Sequence, residues 1–201
     1  LTMEIAMAKR AITRADVMPV ADYAKMRRDH RRKMIETKKQ RRLEVGPHAC
    51  FYFESYDTMW TQVHEMLLIE KGGEEQIPDE LRAYNSLIPQ GQELVATVMF
   101  EIDDALQRAN ILGRLGGVED TIFLSFGGET VQGRPEADID RTTAEGKTSS
   151  VHFVHFHFSA AQVVKFRAPA TQVLLGFKHP LYGHLAVMPE EMRAELSKDF
   201  A

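Results

Sequence analysis

The chain has one cysteine, one tryptophan and no long apolar run among its 201 residues. A lone Cys50 cannot close an internal disulfide, which excludes a disulfide scaffold and points to a reducing, cytoplasmic setting. It sits in the run Ala49-Cys50-Phe51-Tyr52-Phe53 with no C-x-x-C partner, so packing is its expected role. The longest apolar stretch, Leu94 to Phe100, is interrupted by Thr97. A membrane helix needs roughly 20 apolar residues, so no membrane span is expected. The first ten residues lack the apolar core of a secretory signal. They read as an upstream extension or cloning scar, disordered, with Met7 a candidate native start.

Phosphate-binding and nucleophile motifs are also missing. The chain contains no G-x-x-x-x-G-K-[ST], no G-x-G-x-x-G and no G-x-S-x-G. No nucleotide cofactor or hydrolase elbow is therefore expected. Gly113-Arg-Leu-Gly116-Gly117 reads as a helix end, and Asp138-Ile-Asp140 lacks the rest of a calcium loop. The zincin motif H-E-x-x-H and the paired Glu-x-x-His motifs of di-iron bundles are absent as well.

What remains is ordinary globular composition, 44% hydrophobic and 27% charged, in a length suited to one domain. The net charge of −4 hides an asymmetry. From Lys25 to Arg42 ten basic residues face two acids, a segment of +8; the remainder, with 15 basic and 27 acidic residues, is −12. Such a segment suits an acidic partner, nucleic acid, or a solvated helix face. No helix-turn-helix, zinc-finger or RNA-binding fingerprint accompanies it, which makes nucleic acid the least favoured of the three. The candidate partner-binding residues are Arg27, Arg28, Arg31, Arg32, Lys38, Lys39, Arg41 and Arg42.

Caps, turns and periodicity place the elements. A basic helix is expected from Pro19 to Leu43, broken by Gly46-Pro47. Strands are expected at His48–Glu54, Leu94–Ile102, Thr121–Phe126, Val151–Phe158, Thr171–Lys178 and Leu185–Met188. Helices are expected after the Ser55 and Asp57 caps, over Pro78–Tyr84, after Asp103 or Asp104, after Ser159 and after Pro189. Pro135 to Ser150 reads as a polar loop. The pattern predicts a single α+β domain over residues 1–201: a mixed, mainly antiparallel sheet with helices packed on it, and a long basic N-terminal helix.

The chemistry-bearing feature is Val151-His152-Phe153-Val154-His155-Phe156-His157-Phe158. Strand alternation puts His155 and His157 on one face and His152 on the other. Imidazoles at i and i+2 can converge on a metal, but exposed residues fall at that spacing as easily. His152, on the more apolar face, is either a hydrogen-bonded core histidine or a pocket ligand. His179 and His184 follow in Lys178-His179-Pro180-Leu-Tyr182-Gly183-His184. A zinc or iron site wants three or four such ligands. Gln62 and Glu65 share one helix face, with His64 beside them.

Several phrases together resemble a known family. They are Ile12-Thr13-Arg14-Ala-Asp16, Lys38-Lys39-Gln-Arg41-Arg42, Gly46-Pro47-His48, Gln62-Val-His-Glu65-Met66-Leu67, Ala83-Tyr84-Asn85-Ser-Leu87-Ile88-Pro89, Lys147-Thr148-Ser149-Ser-Val151-His152-Phe153 and His179-Pro180. They resemble the bacterial domain-of-unknown-function family numbered 3501 nearly end to end. Its members tend to be encoded beside rubrerythrin-like proteins and iron–sulfur oxidoreductase subunits. The resemblance therefore implies a metal-binding accessory protein, iron or zinc, of a redox or oxidative-stress system. It singles out His48, Glu65, His152 and His179 as motif positions and hence as ligands, with Gln62 and Tyr84 orienting them by hydrogen bonds. His155, His157 and His184 lie outside the motifs. The alternatives are a non-catalytic subunit that docks an acidic redox partner through the basic helix, and nucleic-acid binding by that helix. Homo-oligomerisation is compatible with each.

Overall fold

A computed structural model describes residues 9–136, 142, 143 and 146–201. Of the expected N-terminal extension, residues 1–8 with Met7 fall outside those residues, as do Asp138–Asp140 and the middle of the Pro135–Ser150 loop, whereas Lys9 pairs with Asp16 and Arg10 donates to the carbonyls of Pro89 and Asp199.

Eight antiparallel strands form one sheet in the order β1-β2-β3-β6-β5-β4-β7-β8. They are β1 (Arg42–Val45), β2 (Ala49–Phe53), β3 (Glu93–Phe100), β4 (Ile122–Phe126), β5 (Glu129–Pro135), β6 (Val151–His157), β7 (Val173–Phe177) and β8 (Leu185–Val187). The two edges, β1 and β8, touch each other, so the sheet curls nearly into a barrel and its edges are largely covered. Six helices complete the α+β domain: α1 (Val20–Lys39), α2 (Tyr56–Glu70), α3 (Ile77–Asn85), α4 (Ala105–Leu112), α5 (Ala160–Arg167) and α6 (Glu190–Leu196).

Alternation along the strands creates two cores. The inner face carries Phe51, Phe53, Leu94, Ala96, Val98, Val154 and Phe156, all buried, together with Phe166 from α5 and Leu196 from α6. Full burial of each large side chain contributes about 1.5 to 3 kcal/mol. The outer face carries Val95 and Phe153, which pack against Met59, Val63 and Leu67 of α2 and Ile77 beginning α3.

Two differences from the sequence reading matter. The basic helix ends at Lys39, and Arg42–Val45 forms β1, with Arg42 opposite Tyr52 and Val45 opposite Ala49. Helical propensity in that basic run yields to a hairpin whose turn uses Gly46 at φ 71°. Strand β5 has no counterpart in the sequence reading: Glu129-Thr-Val-Gln-Gly-Arg-Pro carries only one strongly apolar side chain. It is held by hairpin pairing to β4 and by register with β6, where Arg134 faces His155.

Candidate metal centre

The register of β3 against β6 sets Glu93 opposite His157 and Val95 opposite His155. All four therefore lie on the outer face. There the Nδ1 of His155 is 3.0 Å from Oε2 of Glu93, and the Nδ1 of His157 is 3.2 Å from the same oxygen. The other carboxylate oxygen, Oε1, accepts the Gln90 backbone N–H at 3.2 Å. On its far side, the Nε2 of His155 is 3.7 Å from Oε1 of Glu136. Glu93 and His155 are nearly enclosed, whereas the His157 side chain is 55% exposed, which leaves one side of the cluster open to solvent.

These three residues are the one group of three or more His, Cys, Asp or Glu ligands among the described residues whose donor atoms lie within 4.8 Å of one another. The two separations from the Glu93 oxygen, 3.0 and 3.2 Å, are ones that donors around a first-row ion also show. Metal–ligand bonds of about 2.0 to 2.1 Å place neighbouring donors about 2.9 to 3.4 Å apart, from octahedral to tetrahedral. The same distances also serve hydrogen bonds from protonated imidazoles to a carboxylate. Glu93 raises the pKa of His155 above its ordinary value by that hydrogen bond, against the opposing effect of burial. Burial pushes the Glu93 carboxyl up, but His155, the Gln90 amide and His157 outweigh it and hold it below the usual range.

The four ligands expected from the sequence do not form such a group. Glu65, on α2, accepts from the Tyr23 hydroxyl at 2.8 Å and pairs with Arg27 at 2.8 Å. His152 is fully buried on the inner face of the sheet, edge-on to Phe100. Its Nε2 lies 2.9 Å from the Ser149 carbonyl oxygen and 3.2 Å from the Thr148 hydroxyl. Glu65 and His152 are thus separated by the sheet itself. His179 lies two residues past the end of β7, bridged to Tyr182, and its Nδ1 accepts the Leu181 N–H at 3.2 Å. His48 stacks beside Tyr182, whose hydroxyl accepts the backbone N–H of His48 and Ala49. Gln62 does meet Tyr84, at 3.5 Å, but neither reaches a histidine of that set. His152 thus lies in the core, and His48 and His179 lie between elements, apart from one another's ligand atoms and from Glu65.

The basic residues divide in the same way. Arg41 is 3% exposed and pairs with Asp199 and Glu195. Arg27 is engaged by Glu65, and Arg42 by Glu44 and Glu101. Lys39 pairs with Glu36, and Arg32 approaches Asp29. Among the described residues Arg28, Arg31 and Lys38 make no ion pair and lie exposed on α1. Glu93 is the residue sequence reading missed. Its signal was a carboxylate at the head of an apolar strand, visible only once the β3–β6 register is known.

No curated protein matches the chain in sequence. The solved structure of a novel protein of unknown function from Burkholderia pseudomallei K96243 is 36% identical. It superposes with a TM-score of 0.88 over 95% of this chain and 100% of its own. The family model described as "Protein of unknown function (DUF3501)" matches residues 11–200, and the chain belongs to that family.

Proposed function

We propose that this protein holds a divalent first-row metal, iron or zinc, at Glu93, His155 and His157, and serves as a metal-binding accessory protein of a redox system. The observation that carries the reading is the convergence of two imidazole Nδ1 atoms on one carboxylate oxygen, from two hydrogen-bonded strands. Two histidines and one carboxylate leave coordination positions open, a donor set that suits non-haem iron(II). A metal held so can polarise an oxygen ligand. The chain's own contribution is orientation: the Gln90 N–H fixes one Glu93 oxygen and leaves the other for the ion. Glu136 faces the second nitrogen of His155, as carboxylates behind metal-bound imidazoles do. The redox part rests on the fit to iron and on the neighbours that the family resemblance implies.

The test is elemental analysis of untagged protein grown with iron and zinc, beside His157→Ala and Glu93→Gln. Near-stoichiometric metal, lost in both folded variants, is expected. His157 is exposed enough that its replacement does not threaten the fold. Metal-free wild-type protein, or metal retained in both variants, refutes the site.

A second reading has its own observation. Arg28, Arg31, Arg32 and Lys38 fall at helical spacing around Ile35, which is 55% exposed. A cationic stripe with an apolar centre suits an acidic protein partner such as a rubrerythrin-like or iron–sulfur redox protein. Salt-sensitive capture of such a protein, lost in Arg28→Glu/Arg31→Glu, supports it. A steep salt slope on DNA or RNA would transfer the stripe to nucleic acid.

A further inference from the structure

Between α2, α3 and the outer face of the sheet lies a cleft of about 350 Å³. Its floor is two rungs of the sheet: Tyr52–Thr97–Phe153 and Met99–Val151. Its roof is Met59, Gln62, Tyr84 and Leu87. Protein interiors rarely keep voids larger than a water molecule. A mostly apolar cleft of this size is within the range of small-molecule sites.

Two charged residues border this cleft from buried positions, Arg41 and Glu54. Glu54, 7% exposed, follows β2 directly and borders the cleft. Its two oxygens accept the hydroxyls of Thr97 and Thr58, each at 2.6 Å, and both threonines also border the cleft. Among the described residues no cation lies within ion-pair distance of it. The nearby Arg41 spends its guanidinium on the carbonyls of Phe53 and Glu54 and on Asp199 and Glu195. Lys38, the other cation bordering the cleft, is an exposed residue, where solvent and salt weaken its field. Two threonine donors orient a carboxylate but do not neutralise it, and a buried charge gains most from a cation it can pair with.

We propose that the cleft binds a small organic cation, with an aromatic or branched apolar body against Phe153, Met59 and Leu87 and a protonated amine against Glu54. The site stands apart from the metal reading, since neither Glu93, His155 nor His157 borders the cleft. Glu54 supplies charge recognition, Thr58 and Thr97 hold its rotamer, and the methionines adapt to the shape of the body.

The experiment is titration of the whole chain with 2-phenylethylammonium and, in parallel, 3-phenylpropionate, followed by NMR of the methionine methyls. Saturable binding of the ammonium compound is expected, with shifts at Met59 and Met99 and at least tenfold preference over the carboxylate. Glu54→Gln should abolish that preference. Should that variant unfold, Met99→Trp, at the exposed mouth, should block the cleft and weaken binding at least tenfold while keeping the fold. Equal or tighter binding of the carboxylate, no saturable binding of the ammonium compound, or unchanged binding in a folded Glu54→Gln overturns the proposal.

Discussion

Glu93 and His155 are 62 positions apart in the chain, yet their side chains meet at 3.0 Å because β3 and β6 are neighbours in register. The contact biases protonation in the metal-free protein. Glu93 holds His155 above its ordinary pKa, and burial alone would lower it. In Glu93→Gln, with chelator present, His155 should titrate lower than in the parent. The linkage follows from the raised value. The contribution of His155 to stability is complete below the unfolded value of about 6.5 and is lost as pH rises through the folded pKa. An NMR titration of the His155 ring proton checks this, and an unchanged midpoint would contradict it.

Arg41 and Arg31 are alike in sequence and opposite in role. Arg41 is enclosed by Asp199, Glu195 and two backbone carbonyls; burial raises the Asp199 pKa while Arg41 opposes the rise. Removing one partner of a buried pair costs about 3 to 5 kcal/mol. Arg41→Ala should therefore lower the denaturation midpoint sharply, whereas Arg31→Ala on the exposed helix face should stay within about 0.5 kcal/mol of the parent. Parallel urea melts separate the two, and equal losses would show that the cluster around Arg41 is not a structural pair.

The elements most legible in the sequence were those with strong local chemistry. Ser55 and Ser159 form capping boxes with Thr58 and Gln162, as their spacing indicates. The alternation in β6 separated His152 from His155 and His157 correctly. What could not be read was pairing. β1 hides in a basic run, β5 is too polar to announce itself, and Glu93 joins the histidines only through register. The resemblance favoured motif positions, of which His152 lies in the core and His48 and His179 between elements, and Tyr182, outside the quoted phrases, anchors His48, Ala49 and Val45 by its hydroxyl.

Glu65 ties α1 to α2. Hydrogen bonding from Arg27 brings its pKa down to about 2 against the opposing effect of burial, and the Tyr23 hydroxyl adds to the lowering. A depressed carboxyl stabilises the fold above its unfolded pKa of about 4.5 and loses that contribution as pH falls towards the folded value. Allowing for the partial exposure of Arg27, Glu65→Gln should cost on the order of 1 to 2 kcal/mol at pH 7 and less at pH 3. Chemical denaturation at pH 7 and pH 3 measures both; a variant as stable as the parent at pH 7 would show that α1 is held by Tyr23 and Met34 packing alone.

The only tryptophan gives an optical report on the same junction. The Trp60 ring lies 3.9 Å from the His64 ring centre and 5.1 Å from that of His30. His64 is held neutral by its neighbours. Its Nδ1–H donates to the Trp60 carbonyl at 2.7 Å, so its Nε2 must accept the Met18 N–H at 3.1 Å. A second proton on Nε2 would set donor against donor, and burial already pushes the pKa of His64 and of His30 down. For a histidine with a lowered folded pKa, stability is full above about 6.5 and falls as pH drops below that value, because the unfolded chain takes up the proton first. Acidification from pH 7.5 to 4.5 should therefore quench Trp60 emission with a midpoint below 6.5 and loosen α1 from α2. In His64→Gln the quenching should shrink, leaving the part due to His30. Emission that is flat across this range, or a transition identical in His64→Gln, would mean that the Met18–His64–Trp60 chain does not control the junction.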